Sequence, residues 1–295
     1  MIEEPIIITR KLRKAYGRRV AVDGLDLEVP SGSICGLLGR NGSGKTTALK
    51  MLMGITRPDS GEGRVFGQRI NNNQESLAIR ARTGFLPEDK LVPGGMTVGE
   101  LIRFTRAFYP LWRKDLEEHF LRLFHLPPSM TGASLSKGAR CQLSLVLALS
   151  RGAELLVLDE PTSGLDPAMS EQVLRSLVTL AGEGQTTVLF SSHQISEVEQ
   201  IADRVCMIRR GRAVLSEEMD ELANTYQQVR IVFDGKPPVS EFDNAREEGR
   251  TLSMLVRGDV EEVVARGRAM HALSVDVAPA TLKDIFLTET SEAVE

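Results

Sequence analysis

Residues Gly39–Thr46 read GRNGSGKT, and the chain continues as TALKMLMG to Gly54. Every fixed position of the spacing G-x-x-x-x-G-K-[ST] is filled. Gly39, Gly42 and Gly44 let successive backbone N–H groups, from Arg40, Asn41, Ser43 and on to Thr47, turn inward around a phosphate. Lys45 adds a mobile positive charge and Thr46 a hydroxyl for a divalent cation, and the following helix aims its positive end at the anion. Ser33–Leu38 is an apolar run that stops at Gly39. The loop therefore lies between a strand and a helix, the context this chemistry needs.

Working outward, Ile6–Thr9 is a short β-branched run and Leu25–Val29 alternates apolar and acidic residues, as a half-buried strand does. Thr56–Gly63 is a Pro/Gly loop. Beyond it the character changes. Amphipathic helices are expected over Thr97–Tyr109 and Lys114–Leu126, separated by Pro110 and ended by Pro127-Pro128, with another over Lys137–Ser150. Strand–helix alternation then returns: strand Glu154–Leu158, helix Pro167–Leu180, strand Thr186–Ser191, helix Gln194–Ile201, strands Arg204–Ile208 and Ala213–Leu215. This order argues for a mostly parallel α/β sheet with an all-helical insertion. Glu217–Asn224 reads as a linking helix. Strands Val229–Phe233, Leu252–Val256 and Leu273–Val277, with helices Val260–Arg266 and Leu282–Leu287, make a small α+β tail.

Composition narrows the function. The 295 residues suggest about two domains, at roughly 150 residues each. Hydrophobic residues are 42% and charged residues 26%, and the formal net charge is −4, which offers no electrostatic footprint for nucleic acid. No apolar run approaches the roughly 18–20 residues that span a bilayer. The N-terminal MIEEPIIITR has acids where a secretory leader carries bases, so a cytoplasmic location is expected. Cys35, Cys141 and Cys206 form no C-x-x-C pair, and Cys35 and Cys206 read as small buried hydrophobes.

A second stretch carries chemistry. LLVLDEP, Leu155–Pro161, is four apolar residues followed by two carboxylates. A buried strand ending in Asp159 brings one carboxylate to the cation at the carboxyl edge of the sheet, while Glu160 points elsewhere and can polarise a water.

With these two motifs in place, the chain resembles the ATP-binding cassette (ABC) superfamily over about residues 5–222. The resemblance rests on GRNGSGKT, LSKGA at Leu135–Ala139, LLVLDEP, SGLD at Ser163–Asp166 and SSH at Ser191–His193, in the family's order. It implies a P-loop ATPase core over 1–88 and 151–222, an inserted helical subdomain over 89–150, and a separate C-terminal α+β domain over 223–295. It implies ATP and Mg²⁺ as ligands, with Thr46, Asp159 and Glu88 around the metal. It also implies Tyr16 stacking on adenine, Glu160 as the base and His193 at the γ-phosphate. Ser136, Lys137 and Gly138 would cap the phosphate held by a second ATP-binding subunit, and Asp166 would lie in that interface. Such a subunit sits on the inner face of the cell membrane and powers a separate membrane-spanning partner. The closing TLKDIFL, Thr281–Leu287, resembles the ending of ATPases that serve exporters.

Two departures stand out. The family signature LSGGQ reads LSKGA here, and GFLPED, Gly84–Asp89, has Glu88 where the family has glutamine. Two alternative functions stay open at this point: a soluble ABC ATPase acting on ribosomes or DNA, and a non-catalytic ATP-binding regulatory module. A single P-loop, the absence of a coiled-coil insertion and the intact Lys45, Asp159, Glu160 and His193 count against them.

Overall fold

The structure is a computed structural model and describes residues 5–184, 186–238, 242 and 245–290. It divides into two compact units, Met1–Ser216 and Glu217–Glu295.

The first unit begins with β1 (Ile7–Tyr16), β2 (Arg19–Val29), β3 (Ile34–Leu38), α1 (Lys45–Leu52), β4 (Ser60–Val65), β5 (Gln68–Arg69), α2 (Asn73–Ala81) and β6 (Thr83–Leu86). The helical stretch follows as α3 (Val98–Arg106), α4 (Lys114–Leu123) and α5 (Lys137–Leu149). Then come β7 (Leu155–Asp159), α6 (Pro167–Gly184), β8 (Thr187–Ser192), α7 (Ile195–Ile201), β9 (Arg204–Arg209) and β10 (Arg212–Glu218).

Six strands form one sheet in the order β10-β9-β3-β8-β7-β6, in which the pairs β9–β3, β3–β8, β8–β7 and β7–β6 are parallel. Every residue of β3, β7 and β8 is buried, the mark of strands covered on both faces. β2, β1, β4 and β5 make a second, antiparallel sheet. The core between them follows the period-2 rule: Cys35 and Leu37 of β3, Leu155 and Val157 of β7 and Cys206 and Ile208 of β9 join Leu49 and Leu52 of α1 and Leu25 and Leu27 of β2 in one cluster. Burying each such leucine contributes about 1.5–3 kcal/mol. All three cysteines are free and buried, and burial pushes the Cys35 thiol up to about 12.

Helix starts follow their caps. Thr97 and Glu100 form a capping box on α3, and Asn72 accepts from the Gln74 and Glu75 amides of α2. The structure lengthens some expected elements and adds others. Ser60–Gly63 of the expected loop is strand, because it pairs with β1. Glu217 and Glu218 end β10, so the linking helix starts only at Met219. α2, β5 and β6 are further elements beyond those expected from the sequence.

The second unit carries α8 (Met219–Thr225), β11 (Tyr226–Val232), β12 (Arg246–Glu248), β13 (Thr251–Arg257), α9 (Glu261–Ala269), β14 (Ser274–Pro279) and α10 (Leu282–Thr290). Its antiparallel sheet runs β12-β13-β11-β14, and Val229, Ile231, Phe233, Phe242, Leu252 and Met254 form its core.

Candidate nucleotide site

A cleft of about 660 Å³ opens at the carboxyl ends of β3 and β7. It is lined by the tip of the β1–β2 hairpin, the Asn41–Thr47 loop, Glu88, Glu160, Ser163 and His193. Ligands of open α/β sheets bind at this edge.

The glycine-rich loop is shaped by close approach. Gly44 has φ +113° and caps α1, and a Cβ there would lie 2.3 Å from the Ala21 carbonyl. A Cβ on Gly39 would meet the Ile208 carbonyl and the Ser43 hydroxyl, each at 2.6 Å. No side chain larger than hydrogen fits either position. Arg40 closes the turn by accepting the Ser43 amide at 3.1 Å.

Lys45 is buried. Its ammonium donates to the Gly39 carbonyl at 2.7 Å and lies 3.5 Å from Glu160 Oε1. His193 Nδ1 donates to Glu160 Oε2 at 2.8 Å. The Glu160 amide donates to Ser191 Oγ at 3.0 Å, and Ser191 in turn donates to Asp159 Oδ1 at 2.5 Å. Glu160 itself has φ +50°, a left-handed backbone uncommon outside glycine and concentrated at functional sites.

Asp159 is 1% exposed. Burial raises its carboxyl above the ordinary range; the hydrogen bond from Ser191 and the nearby Thr46 hydroxyl pull it back, and the Glu88 charge adds to the rise. Thr46 Oγ1 donates to Glu88 Oε2 at 3.0 Å. Asp159 Oδ2 and Ser43 Oγ are buried without a hydrogen-bond partner. Buried orphan oxygens are rare, and a carboxylate oxygen beside a threonine hydroxyl and a second carboxylate is a hard, all-oxygen donor set. These residues fit Mg²⁺ with a phosphate ligand.

Tyr16 stands 52% exposed at the mouth of the cleft. The signature residues do not line the cleft of their own chain. Ser136 caps α5 by accepting from the Ala139 amide at 3.1 Å, Lys137 is exposed, and a Cβ on Gly138 would lie 3.1 Å from the Gly164 carbonyl. Asp166 accepts from the Met169 amide at 3.0 Å at the start of α6. The structure thus brings Lys45, Thr46, Glu88, Asp159, Glu160 and His193 together, while Ser136–Gly138 and Asp166 are not among the residues that line the cleft.

Sequence similarity now decides the family. The family model described as ABC transporter matches residues 22–163. The chain is 32% identical over 300 residues to the Nod factor export ATP-binding protein I of Cupriavidus metallidurans, covering 97% of each chain. It belongs to the ABC transporter ATP-binding family. It is an ATP-hydrolysing subunit, and no helix among the described residues is long and apolar enough to cross a membrane. This ABC subunit is also 36% identical over 223 residues to the bacitracin transport ATP-binding protein BcrA of Bacillus licheniformis, covering 74% of this chain and 71% of that one. A second model, described as an AAA domain of a putative AbiEii toxin, matches residues 131–199. Among solved structures, an ATP-binding subunit of an ABC transporter superposes with a TM-score of 0.67 at 25% identity, over 74% of this chain and 92% of that one. The cassette MJ0796, solved as a dimer with ADP and Pi, shares the fold with a TM-score of 0.66 at 21% identity, over 72% of this chain and 98% of that one.

Three residues of the site were missed from sequence. Arg19 lines the cleft, as the direct cross-strand partner of Tyr16 at the β1–β2 turn. Glu197 is buried and accepts from Thr162 and Ser192, each at 2.5 Å, bracing the loops after β7 and β8. Lys90 reaches the end of β7. Only Arg19 had a sequence signal: in YGRRVA it shares the hairpin face of Tyr16.

Proposed function

We propose that this subunit hydrolyses Mg-ATP in the cleft, as half of a two-subunit clamp that drives export through a separate membrane-spanning protein, from the inner face of the cell membrane. The observation that carries the reading is Glu160, held between Lys45 at 3.5 Å and His193 at 2.8 Å beside the orphan oxygen of Asp159.

In this reading Tyr16 stacks on adenine, and the amides of Gly42–Thr47 with Lys45 hold the β- and γ-phosphates. Thr46, Asp159 and Glu88 would hold Mg²⁺, which supplies charge neutralisation on the phosphate oxygens. Glu160 accepts a proton from the attacking water, and His193 orients the carboxylate and donates toward the γ-phosphate. Lys45 shifts from Glu160 to phosphate, freeing Glu160 Oε1 for that water. Ser136, Lys137 and Gly138 cap the γ-phosphate of the second subunit at the start of α5, with Asp166 in the same interface. Two copies of this chain suffice for the clamp; a heterodimer with a related subunit is the other arrangement.

The domains divide the labour accordingly. Residues 1–88 and 151–222 bind the nucleotide, 89–150 present the signature, and 223–295 form a C-terminal domain outside the chemistry. The export assignment draws on the names of the Nod factor and bacitracin relatives. Light scattering of the full chain carrying Glu160→Gln tests the clamp, with and without the membrane subunit recovered by pull-down. Mg-ATP should produce a dimer and ADP a monomer. A monomer under Mg-ATP in both settings would remove the clamp and the roles of Ser136–Gly138.

A further inference from the structure

Glu88 poses a charge problem. It brings a third carboxylate to a site that already holds Asp159 and Glu160, and the ATP phosphates are anionic as well. Two residues further along the same loop, Lys90 turns back onto the end of β7. Its ammonium donates to the Glu160 carbonyl at 3.0 Å and reaches the Asp159 carbonyl at 3.4 Å. These contacts fall on the two peptides that flank the Glu160 Cα, whose φ is +50°. Glu160 is thus fixed at three places: Ser191 holds its amide, Lys45 and His193 hold its carboxylate, and Lys90 holds its carbonyl. Lys90 also faces Asp159 electrostatically and opposes the effect of Glu88 on it.

We propose that Lys90 is a positioning residue for the Glu160 base: its ammonium keeps the Glu160 peptide in its left-handed conformation and offsets the charge that Glu88 adds to the cleft. Glu88 and Lys90 then act as one compensated pair within a three-residue span of loop. A cleft with Glu88 alone would carry excess negative charge beside the γ-phosphate. A cleft with Lys90 alone would keep both carbonyl contacts but would have no added carboxylate for the ammonium to offset. The chemistry follows from geometry. A lysine has three donors and no acceptor, so it satisfies two carbonyls at once without competing for the metal oxygens. The proposal rests on Glu160 being the base, and the experiment separates the two.

The test is steady-state ATPase kinetics and fluorescent ATP titration on the full chain, for Lys90→Met, Lys90→Arg, Glu88→Gln, the Glu88→Gln/Lys90→Met double variant and Glu160→Gln. Lys90→Met should lower kcat about tenfold, with ATP affinity and KM within about twofold of wild type, a split that loss of folding would not produce. Lys90→Arg should recover most of the rate. The double variant should be faster than the product of the two single effects requires, because removing Glu88 relieves the charge that Lys90 balances. Wild-type kcat in Lys90→Met, with Glu160→Gln inactive, overturns the proposal and leaves the base in place. Wild-type kcat in Glu160→Gln overturns the base reading first. Strictly multiplicative effects of the two substitutions overturn the charge pairing, and a loss of ATP affinity in Lys90→Met overturns the positioning role.

Discussion

The two units of the chain bury different things. Met1–Ser216 buries Lys45, Asp159, Glu160, Thr162, Ser191, Ser192 and Glu197 at or near the carboxyl edge of its parallel sheet. In Glu217–Glu295 the only polar residue among the described ones that is comparably buried is Thr290, whose hydroxyl donates to the Phe286 carbonyl within its own helix. Burying polar groups is costly unless they are paired, and the first unit pairs nearly all of them with one another. The tail avoids the cost with an apolar core of Val229, Ile231, Leu252 and their neighbours. The difference separates a unit shaped around a ligand from one shaped around its own core.

The largest break in that comparison comes at Glu160. Glu160→Gln should slow ATP hydrolysis by ~10²–10⁴-fold, the usual loss for a general base, while ATP still binds. Single-turnover hydrolysis beside a binding titration reads both. An unchanged rate would turn the buried cluster of the first unit into a structural network.

The second test probes the tail. Ile231 is fully buried, and a Cβ on Gly267 of α9 would lie 3.1 Å from its Cδ1. Ile231→Ala should cost ~2–5 kcal/mol within the tail. Calorimetry should show an earlier transition that Mg-ATP does not shift, and a second that Mg-ATP shifts as in wild type. If the substitution also removed the ATP-dependent shift, the two units could not be treated as separately organised.

Arg19 sharpens the comparison within the first unit. Tyr16 and Arg19 are opposite residues across a two-residue turn, so both present the same hairpin face to the cleft. Arg19→Ala should weaken ATP and ADP alike by about 2- to 5-fold, as expected for an exposed charge contact. Arg18→Ala serves as the control, and calorimetric titration distinguishes them. A loss confined to ATP would move the contact to the γ-phosphate.

What the sequence disclosed follows the same division. GRNGSGKT and LLVLDEP are contiguous, and each motif encodes its own strand end and loop, so Lys45, Thr46, Asp159 and Glu160 could be read in order. The supports could not. Lys90 acts on carbonyls 69 and 70 residues away, and Glu197 on a hydroxyl 35 residues away, through contacts that only the fold creates. Among the elements, α2 was missed because only Ser76 and Ile79 are buried along its nine residues, too few for an apolar stripe. Its visible signal was Asn72 three residues before Glu75. β6 was missed because it has four residues and includes Gly84, whose Cβ would lie 2.5 Å from the Ala148 carbonyl.

The smallest expected effect separates the two ends of one strand. Glu154 and Asp159 bracket β7, five residues apart. At the carboxyl end Asp159 is buried and its carboxyl is pushed up. At the amino end Glu154 is half-exposed and receives Arg82 through two hydrogen bonds, at 2.7 and 2.6 Å, which lower its carboxyl. Arg82 also stacks over Phe66 at 3.9 Å, so its guanidinium is already ordered when it meets the acid. A carboxyl lowered by folding stabilises the folded state above its unfolded value of about 4.3, and that contribution fades as pH falls through the lowered folded value. Glu154→Gln should therefore cost ~0.2–1 kcal/mol at pH 7, as exposed pairs do, without changing turnover. The difference in urea midpoint between wild type and variant should shrink toward zero on acidification below that value, and shrink at pH 7 in high salt. A difference that persists in acid would assign the effect to packing of the Glu154 stem rather than to its charge. A change in turnover would mean that the amino end of β7 reports to the cleft, and the strand would no longer divide into a supporting end and a reacting one.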